Sequence, residues 1–307
     1  MPASIIVAGL VEAGVFAASS LGAMAATAAI RFATSVVVSK AFGNKNSSAQ
    51  DAGVRQQLPP AANYSVPIVY GDAYLGGTFV DAVLSTDQKT MYYVLAISSV
   101  SNNGQFSFDT TDFWYGDRQI TFDGTDPTKV VSLTDGSGNP QTNINGYMYI
   151  NLYTSTNAGV ITSINGSAPN VVMGGSDIDA SLRWPASGRQ MNGLAFAIVK
   201  LIYNRDAGTT GLEPITFKCS QYLNSTGAAK PGDVWYDYMT DTRYGAGMTG
   251  LVDSASATTL NTYSDTLISY TNSSGGTSSQ ARYRINGVVD TARPILENVE
   301  QIIEACD

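Results

Sequence analysis

The hydrophobic and polar positions follow three different patterns along the chain, and these patterns divide it into three regions. Residues 1–57 begin with a long apolar stretch and end in a polar linker. Residues 58–230 contain short runs rich in Val, Ile, Thr, Tyr and Phe, separated by Gly, Asn, Asp and Pro, which is the pattern of strands and turns. Residues 231–307 add apolar positions at helical spacing. We therefore expect a mainly β protein with α+β elements: an apolar α-helical arm, barrel-like β domains, and an α+β domain that continues beyond Asp307.

Eight runs in the second region are predicted strands. Runs 91–98 and 195–203 are almost continuously apolar, as in strands buried on both faces, whereas residues 119–122 alternate like a half-exposed strand. Asp-Gly and Asn-Gly pairs, which favour tight hairpin turns, occur at 123–124, 135–136, 145–146 and 165–166. Many short strands at this spacing indicate a barrel or a sandwich. The predicted strands are 66–70, 78–84, 91–98, 118–122, 129–133, 147–153, 195–203 and 214–219.

The third region contains two predicted helices. The first follows Pro231-Gly232, takes Asp233 as its N-cap and ends before Tyr244. Its apolar face consists of Val234, Trp235, Tyr238 and Met239. The second begins near Pro294 and places five apolar residues on one side: Ile295, Val299, Ile302, Ile303 and Cys306. A third helix over 254–270 is less favoured because threonine is frequent there, and residues 271–279 are predicted to form a flexible loop.

The N-terminal arm has an unusual apolar stretch. Eighteen consecutive uncharged residues run from 13 to 30, the lower limit of length for a membrane-spanning helix. Gly14, Ala18, Gly22 and Ala26 recur every fourth residue and form a stripe that lets helices approach closely. A helix that packs against copies of itself, a helix that enters a membrane and an ordinary buried helix all fit this pattern. In each case the small side chains need a packing partner.

Composition removes most common enzyme classes. The chain has no histidine and only two cysteines, so it lacks the residues of Ser-His-Asp and Cys-His catalysis and of histidine-containing zinc sites. A net charge of −8 argues against tight binding of nucleic acid. The acid pairs Asp177/Asp179 and Asp109/Asp112 are interpreted as surface carboxylates. We therefore predict no catalytic residue, no cofactor and no metal site, and two free thiols.

Four stretches of the sequence resemble one family of phage proteins, in the order in which that family has them. The stretches are 65–72 with 76–77, 91–97 with 112–116, 230–247, and 282–290 with the helix after Pro294. The third is the most specific, because a proline-led helix ends in a phrase similar to N-P-R-Y-G-x-G, with Thr242 at the usual proline position. The matching positions are Val66, Pro67, Tyr70, Gly71, Pro231, Trp235, Arg243, Tyr244, Gly245 and Gly247. Over about residues 60–307 the chain is similar to the tip attachment protein J family, the central tail hub of lambda-like siphophages.

This resemblance implies a structural protein of the virion, located at the tail tip. The expected assembly is a homotrimer whose barrel-like domains form a ring under the tail tube, close its distal end and open to release DNA. Its expected partners are the distal tail or baseplate ring proteins, the tape-measure protein and DNA in transit. An acidic bore would repel DNA phosphates and let the duplex slide. The arm would plug the lumen or enter the host membrane through residues 5–42.

Three other functions remain open at this stage. A receptor-binding adhesin of a phage or a bacterial surface shares the strand-rich composition with many Gly, Tyr and Asn residues. A membrane protein anchored by residues 5–30 would use the apolar arm. A cell-wall hydrolase would use Asp177 and Asp179.

Overall fold

A computed structural model describes residues 65–156, 158–185 and 190–306, and this part of the chain is mainly β. Thirteen of its strands belong to one large mixed sheet, and two more form a separate hairpin. The strands are β1 Ile68–Gly76, β2 Thr78–Leu84, β3 Thr90–Ser99, β4 Gln105–Phe108, β5 Trp114–Tyr115, β6 Arg118–Phe122, β7 Val130–Thr134, β8 Pro140–Gln141, β9 Met148–Ser155, β10 Ile161–Ser163, β11 Leu194–Ile202, β12 Ile215–Tyr222, β13 Leu267–Thr271, β14 Thr277–Ala281 and β15 Gly287–Val289. The helices are α1 Pro169–Val172, α2 Pro231–Thr240, α3 Ser254–Ser264 and α4 Ile295–Glu304.

The predicted apolar arm and its stripe of Gly14, Ala18, Gly22 and Ala26 lie outside the described residues. The arm therefore stays a prediction. Within the described ranges, no helix has the length and apolar character needed to cross a membrane.

The large sheet is organised around β1. Its strand order is β10-β9-β11-β3-β1-β12-β5-β6-β7-β8, with β2 added to β3, β4 to β12 and β15 to β1. The second half of β1 pairs antiparallel with β12, and its first half pairs antiparallel with β15. A parallel contact between Ile68 and Ser99 joins β1 to β3. The middle of the sheet is thus built from strands that are distant in sequence.

The described strands do not form the closed barrel that the sequence suggested. Strands β9 and β7 lie near opposite ends of the strand order. Between them the described residues form one isolated bridge, from Lys129 just before β7 to Tyr149 of β9. An isolated bridge is not a continuous ladder of hydrogen bonds, so the sheet is not closed between β7 and β9. The predicted boundary at residue 230 stays a prediction, although β15 from the C-terminal region pairs with β1 from the β region.

Apolar side chains cover both faces of the sheet. Along β11, Ala197 and Val199 pack into one cluster with Phe113 and Phe217, whereas Phe196 and Ile198 pack into a second cluster with Trp184 and Tyr153. Successive residues of a strand point to opposite faces, which explains why the nearly continuous apolar run of β11 is required. The third cluster lies between β1, β15 and the helices α2 and α4.

Most predicted strands are present, and two of the four predicted hairpin turns are wrong. The predictions 78–84 and 118–122 coincide with β2 and β6. Turns at 123–124 and 135–136 join paired strands, but those at 145–146 and 165–166 do not. The side chain of Asn165 instead accepts a hydrogen bond from the backbone of Leu152 and donates to the backbone of Ile150. Asn165 therefore stabilises β9 through its side-chain hydrogen bonds instead of forming a hairpin turn.

Several predictions for the C-terminal region need correction. Asp233 is not the N-cap of α2, because the helix begins after Lys230 and the side-chain oxygen of Asn261 in α3 accepts the N–H of Gly232. The segment 254–270 is helical only to Ser264 and then enters β13. Of the predicted loop 271–279, only residues 272–276 form the tip of the β13–β14 hairpin, and the others belong to its strands. On α4, Ile302 is buried, while Ile295 and Ile303 are about half exposed.

Candidate functional site: the junction around Asp237

Three of the four stretches that carry the resemblance meet at one place in the fold. Tyr70 from β1, Tyr244 from the turn after α2 and Ile285 from the segment before β15 belong to the third apolar cluster. Trp235 of α2 packs against the same cluster from its edge. The large sheet and the C-terminal helices are therefore joined by residues that the sequence singled out. We call this region the junction, defined as residues 66–76, the 99–101 turn, Gln221, α2, residues 241–247 and residues 282–298.

A buried carboxylate occupies the centre of the junction. Asp237 is 5% exposed and accepts hydrogen bonds from three hydroxyl groups. The Tyr70 hydroxyl donates to Oδ2 at 2.8 Å, the Tyr244 hydroxyl donates to the same oxygen at 2.7 Å, and the Ser101 hydroxyl donates to Oδ1 at 2.6 Å. The three donors come from β1, the turn after α2 and the turn after β3. Asp237 thus links α2 to two separate parts of the sheet.

The electrostatics of this network follow from burial. Desolvation raises the pKa of Asp237, and the three hydroxyl donors oppose that rise because they stabilise the ionised form. Desolvation and the neighbouring carboxylate raise the pKa of both Tyr70 and Tyr244, so both phenols remain protonated and act as donors. No lysine or arginine forms a described ion pair with Asp237. The arrangement is that of a structural tie between neutral donors and one acid.

A second tie joins the end of α2 to the sheet. The guanidinium group of Arg243 donates to the backbone carbonyls of Gly193 and Val100, and it lies over the ring of Tyr244 at 5.1 Å. Val100 directly follows β3, and Gly193 directly precedes β11. Because one planar side chain reaches both, Arg243 fixes the turn after α2 against the central strands.

Glycine is required at two of the predicted motif positions. Gly71 has φ +68°, and a Cβ there would overlap with Asn286 and the carbonyl of Ile285. Gly245 would place a Cβ on the carbonyl oxygen of Tyr238, which accepts the N–H of Ala246 at the end of α2. Both glycines therefore permit close approach of backbone segments.

The remaining motif residues have structural positions around the same junction. Pro231 is buried at the first turn of α2, and the carbonyl oxygens of Val66 and Pro67 accept hydrogen bonds from Thr291 and Ser99. Gly247 has φ +67° and its N–H donates to the carbonyl of Asp241. All ten motif positions thus belong to the junction.

Four polar residues of the junction were missed by the sequence analysis. They are Asp237, Ser101, Gln221 and Asn298, all buried. Gln221 donates to the carbonyl of Val69 and accepts the N–H of Ser101, and Asn298 donates to the Tyr238 hydroxyl. Asp237 gave one readable signal, since it lies between two tyrosines, Tyr236 and Tyr238, on a helix. The other three gave none.

An open depression of about 380 Å³ lies on the outer side of the junction. Its wall includes Ser65, Arg243, Tyr244, Arg293 and Ile295.

The acid pairs considered from the sequence have structural partners. Asp109 and Asp112 both contact the ammonium group of Lys218, at 3.2 and 3.4 Å. Asp177 accepts a hydrogen bond from the hydroxyl of Tyr92, and Asp179 accepts one from Ser181. In the described ranges, no group of three or more His, Cys, Asp or Glu residues is placed to hold a metal ion. Cys219 and Cys306 are free thiols, the first buried and the second half-buried.

Comparison with known proteins adds no relative to this picture. No known protein family and no curated protein matches the chain. The observed properties of the junction are therefore those of its own geometry: a buried carboxylate, three hydroxyl donors and the Arg243 contact.

Proposed function

We propose that the chain is a structural subunit of a phage tail tip, the trimeric central hub that closes the distal end of the tail and gates the release of DNA. The supporting observation is the convergence described above. Motif residues that are up to about 180 positions apart in the sequence, from Val66 to Gly247, meet at one junction around the buried Asp237. This convergence supports the proposal, because the positions that carry the resemblance take part in one structural contact.

The charge of the chain supports the same proposal. With 25 acidic and 17 basic residues it carries a net charge of −8, which suits a passage through which DNA moves without binding. In this proposal the large sheet forms the wall of the ring, the acidic side chains line the bore, and the N-terminal arm forms a plug or a membrane-inserting element. The ring partners are the distal tail or baseplate proteins and the tape-measure protein.

Sedimentation and electron microscopy of the full-length chain test the proposal. Three 32.3-kDa chains per particle and threefold symmetry about an acidic channel are the expected results. A stable monomer that binds glycans would instead favour the receptor-binding adhesin, and a basic channel would contradict the sliding mechanism.

A pair of matched variants tests the role of the arm. Ala18→Leu enlarges a residue of the small-residue stripe, whereas Ala23→Leu makes the same change on another face of the predicted helix. If arms from different copies pack together through the stripe, only Ala18→Leu weakens the trimer. Equal behaviour of the two variants would contradict packing through the stripe.

A further inference from the structure

The hairpin formed by β13 and β14 has no covering partner in the described part of the chain. The two strands pair antiparallel with each other and with no other described strand. All five residues of β13 are exposed, and Leu267 and Tyr270 are 67% and 44% accessible. A two-stranded hairpin is at best marginally stable alone in water. An additional contact would therefore stabilise it.

The outer edges of this hairpin lack the usual protection against further strand pairing. Residues 266–281 contain no charged residue and no proline, and the register has no bulge. Edge strands of soluble proteins are normally blocked by lysine, proline or a bulge. The edges of β13 and β14 are thus suited to accept another strand.

The hydrogen bonds show which backbone groups are available. The N–H of Arg282 donates to the carbonyl of Thr266, and the N–H of Asn272 donates to the carbonyl of Gly276. In an antiparallel pair, hydrogen-bonded positions alternate with outward-facing ones. The N–H and C=O groups of Leu267, Ser269 and Thr271 therefore point away from β14.

The base of the hairpin, where β13 begins and β14 ends, is positively charged, in contrast to the negative charge of the whole chain. Lys230 and Arg284 both bind Asp265 at 2.6 Å, and Arg282 stacks over the ring of Tyr263 at 4.6 Å. Two cations thus contact one carboxylate, and Arg282 adds a third positive charge beside them, whereas the whole chain carries −8. An acidic partner complements this base, and a second copy of the same chain is such a partner.

We infer that the hairpin is a contact between copies of this chain, in which β13 of one copy pairs with β14 of the next. The inference rests on the trimer of the proposed function. A closed threefold ring of hairpins holds the three copies of each residue close to the symmetry axis, so a charge in the hairpin would be repelled by its own copies. The uncharged run 266–281 avoids this repulsion. Three hairpins joined in this way form a closed ring of six strands, which leaves no free edge.

Three substitutions at one outward-facing position test this contact. Ser269→Pro removes the outward N–H but leaves the bonds between β13 and β14 intact, and Ser269→Glu brings three like charges together near the axis. Ser269→Ala keeps the backbone donor and is the control. We expect Ser269→Pro and Ser269→Glu to weaken trimer formation by about tenfold or more, and Ser269→Ala by less than about twofold. Added salt should partly restore the Ser269→Glu trimer.

The readouts are the association constant from sedimentation equilibrium and the near-ultraviolet circular dichroism of each variant, which reports the packed core. A wild-type chain that stays monomeric overturns both this inference and the proposed function. A trimeric wild type with equally stable Ser269→Pro and Ser269→Glu trimers overturns the hairpin contact alone. Should Ser269→Pro distort the hairpin, the Ser269→Glu result and its salt dependence decide.

Discussion

The hydrogen bond between Tyr70 and Asp237 has a nearly matched counterpart on the surface, which allows its contribution to be isolated. In both Tyr70–Asp237 and Tyr222–Asp72 a tyrosine hydroxyl donates to an aspartate oxygen at 2.8 Å, but only the first pair is buried. Tyr70→Phe and Tyr222→Phe remove the same oxygen atom from the two environments. The difference between the two variants therefore measures the effect of burial on this bond.

The structure also sets the size of the effect. A buried hydrogen bond to a charged group contributes about 1.5–3 kcal/mol. In Tyr70→Phe the Oδ2 atom of Asp237 keeps the Tyr244 donor, so we expect a loss at the lower end, about 1.5–2 kcal/mol. Ser101→Ala removes the described donor to Oδ1 and should cost more, about 2–3 kcal/mol. Tyr222→Phe should cost less than about 0.5 kcal/mol because water replaces the lost partner.

Urea and thermal unfolding at pH 7 measure these differences. For a unit of this size, about 2 kcal/mol corresponds to a fall in Tm of roughly 4–8 °C. All variants should be compared at one protein concentration, since association changes apparent stability. Equal losses for Tyr70→Phe and Tyr222→Phe would refute the conclusion that Asp237 is the tie between the sheet and α2.

Three further predictions concern single positions. Because burial raises the pKa of Asp237, its carboxyl group binds a proton more tightly in the native state than in the unfolded chain. The stability of the wild type should therefore fall relative to Asp237→Asn as pH rises from about 4. A stability difference that does not depend on pH would contradict this expectation. Hydrogen bonds from backbone and side-chain donors lower the pKa of Asp123 to about 2, so the wild type should lose stability relative to Asp123→Asn as pH falls from about 4 towards 2. Gly245→Ala should lower the free energy of unfolding by about 2 kcal/mol or more because its Cβ overlaps a carbonyl oxygen; Gly136→Ala, which meets open space, is the control and should change it by less than about 0.5 kcal/mol.

Local pattern was sufficient for the strands whose sequences alternate or are continuously apolar. The prediction for β2 coincides with its observed bounds, and that for β11 is displaced by one residue at each end. The order of the strands could not be read in the same way, because β1 pairs with β12 and β15, whose sequences carry no local mark of that pairing. The helix cap at Asp233 was wrong for a related reason, since the acceptor is Asn261 of another helix.

The junction was partly predictable. The sequence analysis singled out the glycines, Tyr70, Arg243 and Tyr244 through the resemblance that it proposed, but it gave no reason why these residues belong together. That reason is the buried carboxylate of Asp237, which binds two of them. A polar residue at the centre of a network is difficult to recognise from sequence because its donors come from separate elements.

The pairing of β1 also determines when the protein can fold during its synthesis. Val69 and Gln221, which are directly hydrogen-bonded, are 152 residues apart. At about 5–20 residues per second, a ribosome needs roughly 8–30 s to make the intervening chain. For that period, and until β15 has also been made, Ile68, Val69 and Tyr70, all buried in the finished protein, lack their antiparallel partner. The nascent chain therefore carries an uncovered apolar strand until its last quarter has been made. We expect low growth temperature and added chaperones to favour production of the folded protein.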